Sequence, residues 1–233
     1  MSGPFVVALD GPAGAGKSTV GERLASRLGY FYFDTGVLYR AIAVAACRAG
    51  IDLLDEGALA RLVTSVDILV RPPTLGDGRQ HDVLLGGGDI TPSLRTPEVD
   101  GIVSQVAASA AVRHGLIDLQ RRQVQGTGTV MVGRDIGTVV LPAADLKVFL
   151  DASPSERARR RLQQEGGPVE DLARVLISIE RRDGIDASRA IAPLTVAADA
   201  ATIDTEGLTV EQVVDQIVGL IEQRRGRRPR ISA

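Results

Sequence analysis

Residues 11–19 read GPAGAGKST. Gly11, Gly16, Lys17 and Ser18 match G-x-x-x-x-G-K-[ST], the P-loop pattern. The residue types follow from what such a loop must do. Glycines at 11, 14 and 16 let the backbone curl so that successive N–H groups point inward. Pro12, Ala13 and Ala15 keep the remaining positions small. A helix opening at the end of the loop adds the positive end of its dipole. Together these make an anion cradle sized for phosphates. Lys17 brings a mobile charge to the β- and γ-phosphates of a nucleotide, and the Ser18 hydroxyl is a ligand for Mg²⁺. The stretch from Gly11 to Thr19 is therefore the expected binding segment for the phosphates of a nucleotide.

The surroundings support this reading. FVVAL (5–9) is a short apolar run, the mark of a strand buried on both faces. After the loop, Val20, Leu24 and Leu28 recur every fourth residue and predict a helix from Lys17 to about Gly29. The same rhythm returns further on. YFYF (30–33) reads as a strand before a helix over 37–49. VMV (130–132), LKVFLD (146–151) and ATID (201–204) read as three more strands. A last helix is predicted over 210–224, with Thr209 and Gln212 as its capping box. Strands alternating with helices predict an α/β fold, a three-layer α/β/α arrangement on a five-stranded parallel sheet. Residues 63–95 break the rhythm. VDILVR, HDVLLGG and a short DI, separated by prolines and glycines, predict a small antiparallel insert. A single domain spans 1–224, and the basic stretch 225–233 reads as a disordered tail.

Composition narrows the class. The chain has 233 residues, 44% of them hydrophobic, and a formal net charge of -2, so neither global disorder nor bulk nucleic-acid affinity is expected. A single cysteine, Cys47, rules out an internal disulfide and is expected in the core. No signal peptide and no membrane helix is expected, which predicts a cytoplasmic protein with no membrane partner. No apolar stripe suggests a dimer, so a monomer is expected. The two histidines, His81 and His114, form no constellation and are expected at the surface.

A P-loop leaves the chemistry open. A GTPase would carry N-K-x-D, and none is present. A motor ATPase would run four apolar residues into an acidic pair, whereas VMVGRD has glycine and arginine there. A small-molecule kinase needs arginines for a second phosphorylated substrate, and these are abundant. Arg40 follows DTG near a helix start. Arg113 sits on a helical stretch. Arg134 and Asp135 lie just past a strand's carboxyl end, where open α/β sheets place ligands. Ser153, Pro154 and Glu156 start a helix on which Arg157, Arg160 and Arg161 share a face. Three like charges there repel unless an anion meets them, and a transferring phosphoryl group is such an anion.

Several motifs together resemble the bacterial cytidylate kinase family, the CMP/dCMP kinases among nucleoside monophosphate kinases. They are DGPAGAGKST (10–19), DTGVLYR (34–40), RTPEV (95–99), SQVAA (104–108), GRDIGTVV (133–140), FLDAS (149–153) and RAIAPL (189–194). The resemblance implies phosphoryl transfer from ATP to CMP or dCMP with Mg²⁺. It implies that Thr35 and Asp135 read cytosine, that Arg40 and Arg134 meet phosphate, and that Ser104 and Arg113 read the base edge and phosphate side. Asp186 and Arg189 would hold the sugar. Residues 153–190 would form a helical lid in which Arg157 meets ATP and Arg160 and Arg161, with Lys17, stabilise the moving charge. One position departs: some members carry an acidic residue where this chain has Val132, which leaves Asp34 or Asp10 as the carboxylate nearest a metal. A related kinase with another acceptor, such as UMP or shikimate, and a non-catalytic nucleotide-binding regulator are the alternatives.

Overall fold

The computed structural model describes residues 5–124, 128–189 and 191–227, with Arg227 described in backbone only. Two units are distinguished, one formed by the chain up to Asp34 with that from Arg121 onward, the other by Thr35–Gln120.

In the first unit, β1 (Phe5–Asp10) leads through the glycine loop into α1 (Lys17–Leu28). Beside it run β2 (Phe31–Asp34), and further along the chain β6 (Gly128–Val132), β7 (Leu146–Asp151) and β8 (Ala201–Asp204). The order is β2-β6-β1-β7-β8, and every pairing is parallel. The five expected strands are all present. β1 is central, with the chain returning to either side of it, so its carboxyl end is the switch point where such sheets open a crevice.

Both faces of the sheet are buried, which is why these strands show no polar alternation. Val7, Leu9, Val130, Val132, Val148, Leu150 and Ile203 meet Val20 and Leu24 of α1 and Val213, Val214, Ile217 and Ile221 of α8 (Val210–Arg227). Ala8, Phe33, Met131 and Phe149 are buried on the other side. A π-helical turn, Ile136–Val140, packs there against β1. The predicted capping box forms: Thr209 N–H donates to Gln212 Oε1 at 2.8 Å, and Gln212 N–H to Thr209 Oγ1 at 3.3 Å. α8 runs to Arg227, so 225–227 are helical rather than tail, because the i→i−4 ladder carries on into the arginines. Residues 228–233 lie outside the described residues.

α6 (Pro154–Glu165) and α7 (Leu172–Ser188) fill the span expected to form a helical lid, joined by Ala158, Leu162, Val175 and Ile179. Ser153 caps α6 by accepting from Glu156 N–H at 3.3 Å. Its own N–H goes to Glu206 at 3.3 Å, so Glu156 is released to pair with arginines.

The second unit holds α2 (Gly36–Ala49), α3 (Glu56–Ser65), α4 (Pro97–Ala108) and most of α5 (Ala110–Arg121). It also holds the antiparallel sheet, β3 (Ile68–Arg71), β4 (Asp82–Leu85) and β5 (Gly88–Asp89). Asp82 accepts from Thr74, Arg71 and Arg79, which draws the 72–80 loop back to the start of β4. His81 is buried there, against expectation, while His114 is exposed as expected. Cys47 is half-buried rather than in the core, and burial with the neighbouring Glu98 pushes its thiol up, away from nucleophilic range.

Gly21 sets the distance between α1 and the sheet. A Cβ there would lie 2.6 Å from Val132 Cγ2 and 3.1 Å from Tyr32 Cε2. Overpacking should outweigh the helix-propensity gain of about 1 kcal/mol from alanine. Gly21→Ala is expected to destabilise the fold by about 1–3 kcal/mol in urea titrations. Val132→Ala should relieve part of that cost in the double variant, giving a clear coupling energy. Strict additivity would mean the two residues do not meet.

Candidate active site

The loop between β1 and α1 leaves almost no room for side chains. Gly11, Gly14 and Gly16 have φ of 149°, 79° and 86°. A Cβ on Gly11 would stand 2.1 Å from the Leu150 carbonyl oxygen, and one on Gly14 would stand 3.0 Å from Arg157 Cβ. Gly16 is the N-cap of α1 and brings no side chain to cap it, so the first N–H groups of the helix stay available. Pro12, Ala13 and Ala15 are buried in the turn, and Thr19 is exposed on the first turn of α1.

Lys17 is 6% exposed and its Nζ donates to the Pro12 carbonyl at 2.6 Å. Burial holds its pKa well below the ordinary lysine range, and Arg134 and Arg182 add to this while Asp34 and Asp10 oppose it. Ser18 Oγ donates to Asp34 Oδ2 at 2.9 Å. Asp10 lies on the opposite face of the sheet. Its two oxygens accept from Ile136 N–H at 2.8 Å and Gly137 N–H at 2.7 Å. Asp34 is thus the carboxylate beside Ser18, and Asp10 is committed to the turn. Val132 points into the apolar cluster beneath α1. Among the described residues no group of three or more His, Cys, Asp or Glu is arranged to hold a metal by itself.

Past the end of β6, Arg134 Nε donates to Asp186 Oδ2 at 2.9 Å. Arg189 donates to the other oxygen of the same carboxylate. Burial raises the Asp186 carboxyl, and the charges of Arg134, Arg189 and Arg182 more than offset this, so its pKa lies below the usual range. The turn after α7 is tied back by Leu194 N–H to the Asp186 carbonyl at 2.9 Å. It passes through Ala192 at φ 52°, a left-handed position that costs about 1–2 kcal/mol outside glycine. Asp135 is buried and its carbonyl accepts from Val139 N–H at 2.9 Å.

The arginines of α6 are not an unrelieved cluster, because the sequence pattern hid their long-range and local partners. Arg157 pairs with Asp183 at 2.6 Å, Arg160 with Glu156 at 2.8 Å, and Arg161 with Glu165 at 2.6 Å. Arg160 also donates to Thr205 Oγ1 at 2.8 Å and comes within 4.0 Å of where a Gly16 Cβ would be. A cavity of about 460 Å³ opens at the ends of β7 and β8, lined by Asp151, Ser153, Pro154, Arg157, Asp204 and Glu206 among others. The sequence offers Arg182 only as one of the arginines crowding 181–189 and gives Asp183 no role. Both stand on α7 facing this site, and only the RRD run at 181–183 hinted at them.

In the second unit, Thr35 is buried at the N-cap of α2. Arg40 donates to the Leu94 carbonyl and pairs with Asp100, both at 2.7 Å. Arg113 is buried, donates to the Ala107 carbonyl at 2.9 Å, and lies over the Tyr39 ring at 5.4 Å. Ser104 is half-buried on α4.

A parallel sheet whose central strand runs into this loop defines a P-loop nucleotide-binding protein of the α/β class. The comparison with known proteins is narrower. The family model for cytidylate kinase matches residues 7–223. The chain is 48% identical over 223 residues to the cytidylate kinase of Herpetosiphon aurantiacus, covering 95% of this chain and 96% of that one. It is 47% identical over 221 residues to the cytidylate kinase of Pelotomaculum thermopropionicum, covering 94% and 96%. It is 47% identical over 226 residues to that of Mycobacterium leprae, covering 95% and 97%. The chain belongs to the cytidylate kinase family.

Asp10 makes stability depend on pH in an unusual direction. Burial, resisted by its two backbone donors, raises its pKa from 3.8 to about 6. Between those values the unfolded chain has lost this proton and the folded chain has kept it, so the stability it contributes is lost as pH rises. In urea titrations, the unfolding free energy of the parent minus that of Asp10→Asn should fall by about 2 kcal/mol from pH 4.5 to pH 7. A difference that stays flat would show that Asp10 is already ionised in the fold at the lower pH.

Proposed function

We infer that this protein transfers the γ-phosphoryl group of ATP to CMP or dCMP, giving ADP and CDP or dCDP, a step of pyrimidine nucleotide metabolism. One observation carries the reading: the glycine cradle, with Lys17 and Ser18 in place, occurs in a chain that belongs to the cytidylate kinase family over nearly its whole length.

ATP phosphates would lie on the N–H groups of Gly11–Thr19 and the open end of α1. Lys17 would leave the Pro12 carbonyl for the β- and γ-oxygens, and the phosphate charge would raise its pKa against the burial that lowers it. The residues fit Mg²⁺: a hydroxyl and a carboxylate oxygen, both hard donors, stand 2.9 Å apart at the cradle. Ser18 would ligate the ion, and Asp34 would orient it directly or through water. When bound, it would neutralise charge on the β- and γ-oxygens. The cavity beside Arg157 suits the nucleoside part of ATP, since its carboxylates face a neutral base and sugar better than phosphate.

The acceptor needs no strong base, because an ionised phosphate oxygen of CMP is already nucleophilic. That oxygen bonds to the γ-phosphorus as the bond to the β–γ bridging oxygen breaks, and ADP leaves with the electron pair. Lys17, Arg160 and Arg161 would stabilise the charge that spreads on the equatorial oxygens. Arg157 would serve the ATP side of the site. We assign Arg40, Arg113 and Arg134 to the phosphate side of CMP, Asp186 and Arg189 to its sugar, and Thr35, Ser104 and Asp135 to cytosine. The exocyclic amine of cytosine donates to such acceptors, whereas uracil offers a carbonyl and leaves them unpaired.

The same reading takes the enzyme as a cytoplasmic monomer without nucleic-acid or membrane partners. The balanced charge and single cysteine support it. Among the described residues no helix is long and apolar enough to cross a membrane.

An ADP-release assay with ATP and Mg²⁺ against CMP, dCMP, UMP, AMP and no acceptor tests the function. Turnover is expected with CMP and dCMP alone. Lys17→Ala should lower kcat by about 10²–10³. Asp135→Ala should cut the preference for CMP over UMP by about 10² while ATP binding holds. ATP binding without transfer to any acceptor would make the protein a regulator, and equal turnover of UMP would remove Asp135 from base recognition.

A further inference from the structure

Arg157 is 4% exposed, and its guanidinium is spent on three oxygens. Nε donates to the Ala152 carbonyl at 2.9 Å, and Nη1 donates to the Ala13 carbonyl at 3.0 Å. Nη1 also meets Asp183 Oδ2 at 2.6 Å. One group therefore joins the end of β7, the middle of the glycine loop and α7. The loop rests on the same residue a second time, since a Cβ on Gly14 would lie 3.0–3.3 Å from the Cβ, carbonyl oxygen and Cα of Arg157. Asp183 has no competing duty. Its Oδ1 is buried and accepts from no described residue. The next helical turn carries Asp186, which serves Arg134 and Arg189 instead.

An arginine so placed fixes the Ala13 carbonyl toward its own guanidinium. Turning that carbonyl inward would put an oxygen where phosphate oxygens must sit. The fork of a guanidinium needs its acceptors in fixed places, and a carboxylate is the strongest of them. Removing the carboxylate leaves a buried cation that competes for the loop carbonyls and moves within the space left.

We propose that Asp183 is a positioning residue for nucleotide binding: through Arg157 it locks the glycine loop in its anion-binding form. The proposal rests on the reading of that loop as the ATP site. It gives Asp183 no contact with either substrate.

The test is isothermal titration of ADP into the parent, Asp183→Ala, Asp183→Asn and Asp183→Glu, with steady-state kinetics for ATP and CMP. Asp183→Ala is expected to weaken ADP about tenfold and to raise KM for ATP by a similar factor. KM for CMP and kcat should move less than threefold. Asp183→Asn should fall between, and Asp183→Glu should recover most of the ADP affinity by reaching Arg157 again. If Asp183→Ala does not fold, the isosteric Asn variant decides. Lower Tm with unchanged ADP affinity in the Asn and Ala variants would overturn the proposal and leave a merely structural ion pair. A parent that binds no ADP would instead overturn the assignment of the loop.

Discussion

The first unit is organised around one close approach. The loop after β1 passes so near β7 that its first glycine has no space for a Cβ against the Leu150 carbonyl. The consequence runs outward. β7 must lie beside β1 in register for that contact to exist, and it does, with Leu9 opposite Val148 and Asp10 opposite Phe149. The chain leaving β7 then enters α6 directly, which brings Arg157 behind the loop. The cradle and the first turn of α6 are thus set by the same packing. A side chain at residue 11 or 14 would not only strain a positive φ but push the loop off its support.

Charge is the second constraint. Lys17, Asp10, Arg157, Asp186 and the side chain of Arg189 are all nearly buried, an arrangement that is costly unless each group is paired or hydrogen-bonded. Burial lowers the Lys17 pKa most, and Arg134 and Arg182 add to this against Asp34 and Asp10, so the fold holds the lysine cation at a cost. The oxygens of a polyphosphate would offset that cost. Groups already fixed in place need little reorganisation when the charge arrives.

Much of this was legible in the sequence, for identifiable reasons. Short runs rich in apolar residues marked the strands of the parallel sheet, with glycine directly after β1 and β6, and LKVFLD and ATID match β7 and β8 residue for residue. The capping box at Thr209 is local, so its two residues announce it. What escaped depends on pairs far apart in the chain. Arg157 and Asp183 lie on different helices, and nothing in either helix names the other. The arginines of α6 looked like repelling neighbours because the helical wheel shows their common face, whereas Asp183 answers one of them from another helix. His81 was misjudged for a similar reason. Its burial follows from Asp82 gathering Thr74, Arg71 and Arg79, a loop closure that no periodicity encodes.

The valine at 132 shows how register and helix position divide the work of neighbouring residues. Asp34 and Val132 are paired across β2 and β6, so both side chains leave the same face of the sheet, the one that α1 covers. They differ in what lies above them. Val132 sits beneath Gly21, where α1 comes closest, and is 1% exposed. Asp34 is on the edge strand, beside the first turn of the helix, where Ser18 reaches it. A carboxylate at 132 would have to be accommodated under the helix, within an apolar cluster, at the cost that burying an unpaired charge carries. With valine there, the helix can close onto the sheet through Gly21, and Asp34 stands at the open edge next to the hydroxyl. The apparent loss of an acid from the motif is therefore compatible with the hard-cation site proposed at Ser18, because Asp34, the carboxylate beside that hydroxyl, comes from the neighbouring strand.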